Sequence, residues 1–126
     1  MAASPRAAGA RYEDITLAHL LRAGLVLIAR NFCCRYGEID LVMRDVDTIV
    51  FVEVRYRRGV RSTLNFGDGV DSVSAAKRAK LVRAASVFLA TQPRLASRSC
   101  RFDVVGVAGD EAAPVLDWRP NAFDAC

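Results

Sequence analysis

GEIDLVMRDVDTIVFVEVRYR, residues 37–57, is the stretch that decides the fold. Glu38 to Arg44 reads as one strand and Thr48 to Tyr56, rich in Val, Ile and Phe, as the next, with a short polar turn between them. With an even loop, either Val46 and Asp47 alone or Asp45 to Thr48, the paired positions of this hairpin sum to 93. Asp40 then stands opposite Glu53, and Glu38 opposite Arg55; an odd loop would slip the register by one and break the arrangement. Two carboxylates directly opposite on neighbouring strands repel each other, so something is expected to compensate them. Magnesium is suited to this, because it is a hard cation that takes one or two carboxylates and completes its shell with water and phosphate oxygens. Such an ion can activate a water and stabilise the charge that develops when a phosphodiester is cut. Glu53 and Arg55 share a face by the two-residue period of a strand. Arg55 is therefore open to two readings, a phosphate contact one step beyond the ion or a cross-strand salt bridge to Glu38.

Outward from the hairpin, the pattern extends in both directions. Upstream, Ser4 and Pro5 resemble a helix start, and helical spacing runs to Ala23 before Gly24 ends it. Glu13, Leu17, Leu20 and Gly24 fall on one face, so an acid borders the buried stripe. Leu25 to Ile28 reads as a short strand. Downstream, Arg57 to Gly69 contains three glycines and reads as a mobile loop. Ser72 is placed to cap a second helix reaching about Ala90, with Val73, Lys77, Leu81, Ala84 and Phe88 on one face. Arg101 to Val107 alternates as a fourth strand, and Val115 to Trp118 reads as a fifth. This order implies an α/β or α+β layer in which helices cover a mixed sheet.

The 126 residues fit one domain, with the Ala-rich residues 1–8 expected to be at least partly disordered. An apolar fraction of 52% and a charged fraction of 25% argue against intrinsic disorder. Sixteen of the eighteen basic residues are arginine, whose planar fork grips phosphate oxygens in pairs, although a GC-rich genome would produce the same bias. No apolar run approaches the roughly 20 residues that span a bilayer, and the N-terminus lacks an apolar signal core. A cytoplasmic protein with no membrane partner is expected. Cys33, Cys34, Cys100 and Cys126 lack zinc spacing, and the sole histidine, His19, reads as a surface or boundary residue, so free thiols are expected.

Together, GEIDL (Gly37 to Leu41), FVEVRYR (Phe51 to Arg57), Phe66 with Gly67, Lys77 in a helix, RFDVV (Arg101 to Val105) and NAF (Asn121 to Phe123) carry a resemblance. Across residues 9–123 the chain resembles the YraN family of small bacterial proteins, predicted endonucleases distantly related to archaeal Holliday-junction resolvases. The resemblance implies a restriction-endonuclease-like core, a mixed β-sheet flanked by helices, whose signature is an acid, a spacer, then Glu or Asp, one residue and Lys. Asp40 matches the first acid, Glu53 the second, and Arg55 occupies the lysine position. Glu13 matches an acid common in the first helix of this fold, and Lys77 the basic residue of the second helix. Arginine keeps its proton at any working pH, so Arg55 can hold phosphate but cannot act as a general base.

The resulting expectation is a metal-dependent endonuclease-like protein acting on structured or branched DNA. Asp40 and Glu53 would hold Mg2+ or Mn2+, Arg55 and Lys77 would manage phosphate charge, and Glu13 would assist. Arg57, Arg58 and Arg61, beside Tyr56 in a basic stripe, would contact phosphates near the cut. The blander readings are an acid placed for the helix dipole at Glu13, a snorkelling stem at Lys77 and a solvated charged loop at residues 57–61. A non-catalytic nucleic-acid-binding module with the same fold is the alternative, and an adaptor for an acidic protein a third possibility. Symmetric cutting of two strands suits a homodimer, for which the sequence assigns no interface.

Overall fold

Five strands, interrupted by two helical stretches, form a mixed sheet with one helix on each face, and the central strands are near-continuous apolar runs buried on both sides. The computed structural model describes residues 5–56, 73–109 and 112–124, with side chains from residue 9 onward. In chain order the elements are α1 (Pro5–Arg22), β1 (Val26–Cys34), β2 (Gly37–Asp45), β3 (Thr48–Tyr56), α2 (Ala75–Ala90), β4 (Cys100–Ala108) and β5 (Val115–Phe123). The sheet order is β1-β2-β3-β4-β5, antiparallel throughout except where β3 and β4 run parallel across the α2 connection. This is an α/β fold, consistent with a nuclease-like core. Among the described residues no helix is long and apolar enough to cross a membrane.

Strict alternation on β3 builds the two cores. Ile49 and Phe51 face α2, where they pack with Leu81, Ala84, Ala85, Phe88 and Phe102. Val50 and Val52 face α1, with Tyr12, Leu20, Leu41, Met43, Val105 and Val107. Each buried aliphatic or aromatic side chain of this kind stabilises the fold by about 1.5–3 kcal/mol relative to exposure. The buried stripe of α1 is Tyr12, Thr16 and Leu20, and the Thr16 hydroxyl satisfies itself by donating to the Tyr12 carbonyl at 2.9 Å.

Of the two even loops the sequence allowed, the β2–β3 turn takes the two-residue one, and the ladder runs from Asp45↔Thr48 to Leu41↔Val52, each pair summing to the expected 93. β1 is longer than the sequence suggested. Asn31 adopts φ 56° in its middle, and this kink with the polar residues around it hides the period of residues 29–34. Ser72 lies outside the described residues; the cap of α2 is Ser74, whose side chain accepts the Lys77 N–H at 3.1 Å. β5 continues past Trp118 to Phe123, and as an edge strand it tolerates Pro120.

Asp103 of β4 locks this edge. Its fully buried carboxylate accepts from Arg101 Nε at 3.0 Å, Trp118 Nε1 at 2.9 Å and the Asn121 N–H at 2.9 Å. Asn121 has φ 52°, and the β4–β5 register shifts between Phe102 and Val104, so the acid holds an irregular strand end in place. This accounts for the RFDVV and NAF segments as one structural unit.

Candidate functional site

β2 and β3 stop pairing at Leu41↔Val52, one step before the two acids that the hairpin register sets opposite each other. Past that point the Asp40 side chain replaces a backbone partner, accepting the Val54 N–H through Oδ2 at 2.7 Å. The two-residue alternation of β2 also breaks here: Ile39 and Val42 both belong to the α2-side core, whereas Leu41 and Met43 belong to the α1 side. Across from Asp40, the kinked Asn31 interrupts β1 between the pairs Arg30↔Leu41 and Phe32↔Ile39. The paired run therefore does not extend to Asp40 and Glu53, and Asp40 lies at the parting of two strands.

On one side of Asp40 are Glu13 from α1 and Glu38 from β2. One carboxylate oxygen of each of these three residues lies within 4.8 Å of the others. Octahedral ligands at about 2.1 Å from magnesium sit about 3–4 Å apart, so a small closure would bring the three acids to that spacing. With its amide nitrogen turned toward them, Asn31 donates to Glu13 Oε1 at 2.9 Å and to Glu38 Oε1 at 2.7 Å. Arg30 Nε lies 3.6 Å from Glu13 Oε1, while its Nη1 binds Asp14 at 2.6 Å and its Nη2 donates to the Ala10 carbonyl at 3.1 Å. A cavity of about 480 Å³ opens onto this cluster, lined by Gly9, Ala10, Glu13, Asn31, Cys33, Glu38 and Asp40.

On the other side is Glu53, almost wholly buried. A single oxygen, Oε2, is bracketed by Lys77 Nζ at 3.6 Å and Arg55 Nη1 at 3.7 Å. Arg55 thus pairs with the acid two residues before it on its own strand. The Tyr12 and Tyr56 rings stack at 3.7 Å, tying the helix that bears Glu13 to the end of the strand that bears Glu53 and Arg55.

This crowding raises the affinity of Asp40 for a proton. Burial is the largest cause, followed by repulsion from Glu53, and together they push its carboxyl up to about 8 against the pull of the Val54 N–H. Glu13 is also raised, again first by burial, with Arg30 opposing. Carboxylates held where each disfavours the charge of the next form a donor set suited to a hard cation.

The structure therefore brings together Glu13, Asp40, Glu53, Arg55 and Lys77. Arg57, Arg58 and Arg61 lie outside the described residues. Glu38 is the acid that sequence reasoning assigned only to a salt bridge; its spacing of two from Asp40 was the available signal. Tyr12, which stacks on Tyr56, carried no sequence signal beyond its helical position. Cys33, Cys34 and Cys100 are free thiols, and His19 is half-buried, with its ring edge-on to Trp118 at 6.1 Å.

The chain belongs to the Uncharacterised protein family UPF0102, whose model matches residues 12–107 and so spans all of these site residues. It is 47% identical over 125 residues to a UPF0102 protein of Pseudomonas paraeruginosa, covering 98% of this chain and 97% of the relative. A UPF0102 protein of Pseudomonas entomophila is 48% identical over 123 residues, covering 97% of each chain. Another, of Stutzerimonas stutzeri, is 45% identical over 120 residues, covering 95% of this chain and 97% of the relative.

Proposed function

We propose that this protein is a magnesium- or manganese-dependent endonuclease-like protein whose substrate is the phosphodiester backbone of DNA, branched or structured DNA in particular. The observation that carries the reading is the gathering of three acids around Asp40, drawn from α1, β2 and β3, beside two cations that share one Glu53 oxygen. A stability-driven sheet would not concentrate like charges at the point where its strands part. The motif resemblance to the YraN family and to archaeal Holliday-junction resolvases supports the same chemistry. A free-thiol protein with a DNA substrate also suits the cytoplasm.

Asp40 would hold the ion, with Glu53 toward α2 and Glu13 and Glu38 toward α1. A bound ion would supply an activated water and neutralise charge on the phosphate. Arg55 keeps its charge and presents a fork to phosphate oxygens. Lys77 touches the same Glu53 oxygen from α2 and would add a second positive charge beside the phosphate. Asn31 and Arg30 hold the Glu13 and Glu38 carboxylates in place.

The test is cleavage of branched, linear and supercoiled DNA with magnesium or manganese, together with calorimetry of magnesium binding. Wild-type protein is expected to cut. Asp40→Asn and Glu53→Gln are expected to lose cleavage by about 100-fold or more and to bind magnesium weakly while remaining folded. Unchanged metal affinity in both variants would sink the site. A second reading, a module that binds DNA without cutting it, is favoured by arginine standing at position 55 where the motif has lysine. A wild-type protein that binds branched DNA but cuts nothing with either metal would select it.

A further inference from the structure

The charge order of α2 runs against the polarity of a helix. Its first turn contains no acidic residue and its last turn no basic one, while Lys77, Arg78 and Lys80 crowd its N-terminal half and Arg83 follows one turn on. A cation in the first turn of a helix costs about 0.3–1 kcal/mol, so Lys77 and Arg78 do not stand there to stabilise the helix. Arg78 is already committed, because its Nε donates to the Val73 carbonyl at 2.9 Å and its guanidinium lies over the Phe123 ring. Lys80 and Arg83 are exposed, and among the described residues neither forms an ion pair.

The β1–β2 turn adds to this surface. Tyr36 packs against the α2-side core and presents its ring to two guanidiniums, with Arg35 Cζ 4.8 Å and Arg83 Cζ 5.7 Å from its centroid. Arg35 Nη2 also donates to the Tyr36 hydroxyl at 2.6 Å. Two long side chains that would otherwise sample many rotamers are thereby held on a fixed platform, which lowers the entropy lost when they grip an anion. A cleft of about 190 Å³, lined by Tyr36, Gly37, Glu38, Lys77, Lys80 and Leu81, joins the platform to the acid site. From Lys77 to Arg83 the helix rises about 9 Å, enough to follow two or three phosphates of one strand.

We infer that Lys80, Arg83 and Arg35, seated on Tyr36, form a backbone-binding track for duplex DNA that leads one strand toward the Asp40 cluster. This rests on the nuclease-like reading for the direction in which the track points. Its residues are other than Arg57, Arg58 and Arg61. Its chemistry is recognition of phosphate, independent of base sequence.

The test reads binding without cleavage. A fluorescent mixed-sequence duplex of about 20 base pairs is titrated in EDTA at several salt concentrations. Relative to wild type, Lys80→Ala with Arg83→Ala is expected to weaken binding roughly tenfold and to flatten the salt slope by about two units. Arg22→Ala with Arg94→Ala removes the same charge from exposed positions elsewhere and is expected to leave the slope almost unchanged. Tyr36→Leu, which alters no charge, is expected to weaken binding about threefold or more through loss of the platform. Equal slopes for the two double variants, or a wild type that does not bind the duplex, would overturn the track. Asp40→Asn separates the two proposals: it is expected to keep duplex affinity within a few fold in this EDTA titration and to lose cutting in a parallel reaction with magnesium. A protein that cuts normally without Lys80 and Arg83 would leave the acid site standing and remove the track.

Discussion

Asp40→Asn makes the electrostatics of the site measurable without any substrate. In the folded protein the Asp40 carboxyl is pushed up to about 8, from an ordinary value of 3.8. Its folded pKa lies above its unfolded one, so between about pH 4 and pH 8 the folded state keeps a proton that the unfolded chain gives up. Stability contributed by that proton is present in full below about pH 4 and is lost as pH rises toward 8. At about 1.4 kcal/mol per unit, the whole span would amount to about 5–6 kcal/mol. Water entry and sharing of the charge with Glu53 should bring the observed cost to about 3 kcal/mol. Asparagine keeps an oxygen that can accept the Val54 N–H but carries no charge. In EDTA, Asp40→Asn is therefore expected to match wild type below about pH 4 and to exceed it by about 3 kcal/mol at about pH 8. For a domain of this size that is about 10 °C in thermal midpoint. Magnesium at a hundredfold excess over its dissociation constant should return about 2.7 kcal/mol to wild type at the higher pH and almost nothing to the variant. A difference between the two proteins that stays flat from pH 5 to pH 8 would refute the buried-acid argument. Equal magnesium shifts in both would refute Asp40 as a ligand.

Three further outcomes are expected. Arg55→Lys should keep DNA affinity within a few fold and raise magnesium-dependent cleavage roughly tenfold, since lysine can give up a proton where arginine cannot; a parallel fall in binding and cleavage would instead identify Arg55 as a phosphate clamp. Asp103→Ala should cost about 3–5 kcal/mol in urea unfolding, because it leaves Arg101, Trp118 Nε1 and the Asn121 N–H without their buried acceptor, and a loss under about 1 kcal/mol would show that β5 is held by other contacts. Val46 has φ 55° and is 81% exposed, so it bears a left-handed turn with nothing to gain from its side chain; Val46→Gly should raise stability by about 1 kcal/mol in the same assay.

Where the sequence has a strong local signal it predicts the fold closely. Thr48 to Tyr56 is rich in Val, Ile and Phe, and both ends of β3 fall where that composition places them. The register follows from an even hairpin loop, and the fold takes the two-residue one at Val46 and Asp47. The misread elements are those held by contacts distant in sequence. Residues 29–34 of β1 are kept extended across the left-handed Asn31 by pairing with β2, and residues 119–123 of β5 by the Asp103 carboxylate gripping the Asn121 N–H. Neither partner is visible from the local pattern.

The same reason explains why the site was legible as a set of residues but not as an arrangement. Extending the hairpin register sets Asp40 directly opposite Glu53, on one face of a regular ladder. In the fold that ladder ends one step earlier, and the carboxylate of Asp40 takes the Val54 N–H. Such an exchange is locally neutral in hydrogen bonds, since a side-chain acceptor stands in for a backbone one. It has a large geometric effect, because breaking the alternation between Ile39 and Leu41 lets Glu38 and Asp40 meet Glu13 of α1 while Glu53 stays with Lys77 of α2. Asp40 is thus the residue at which both faces of the sheet reach one point. A regular strand would give its acids to one side or the other, and no pattern of two-residue spacing can encode the exception.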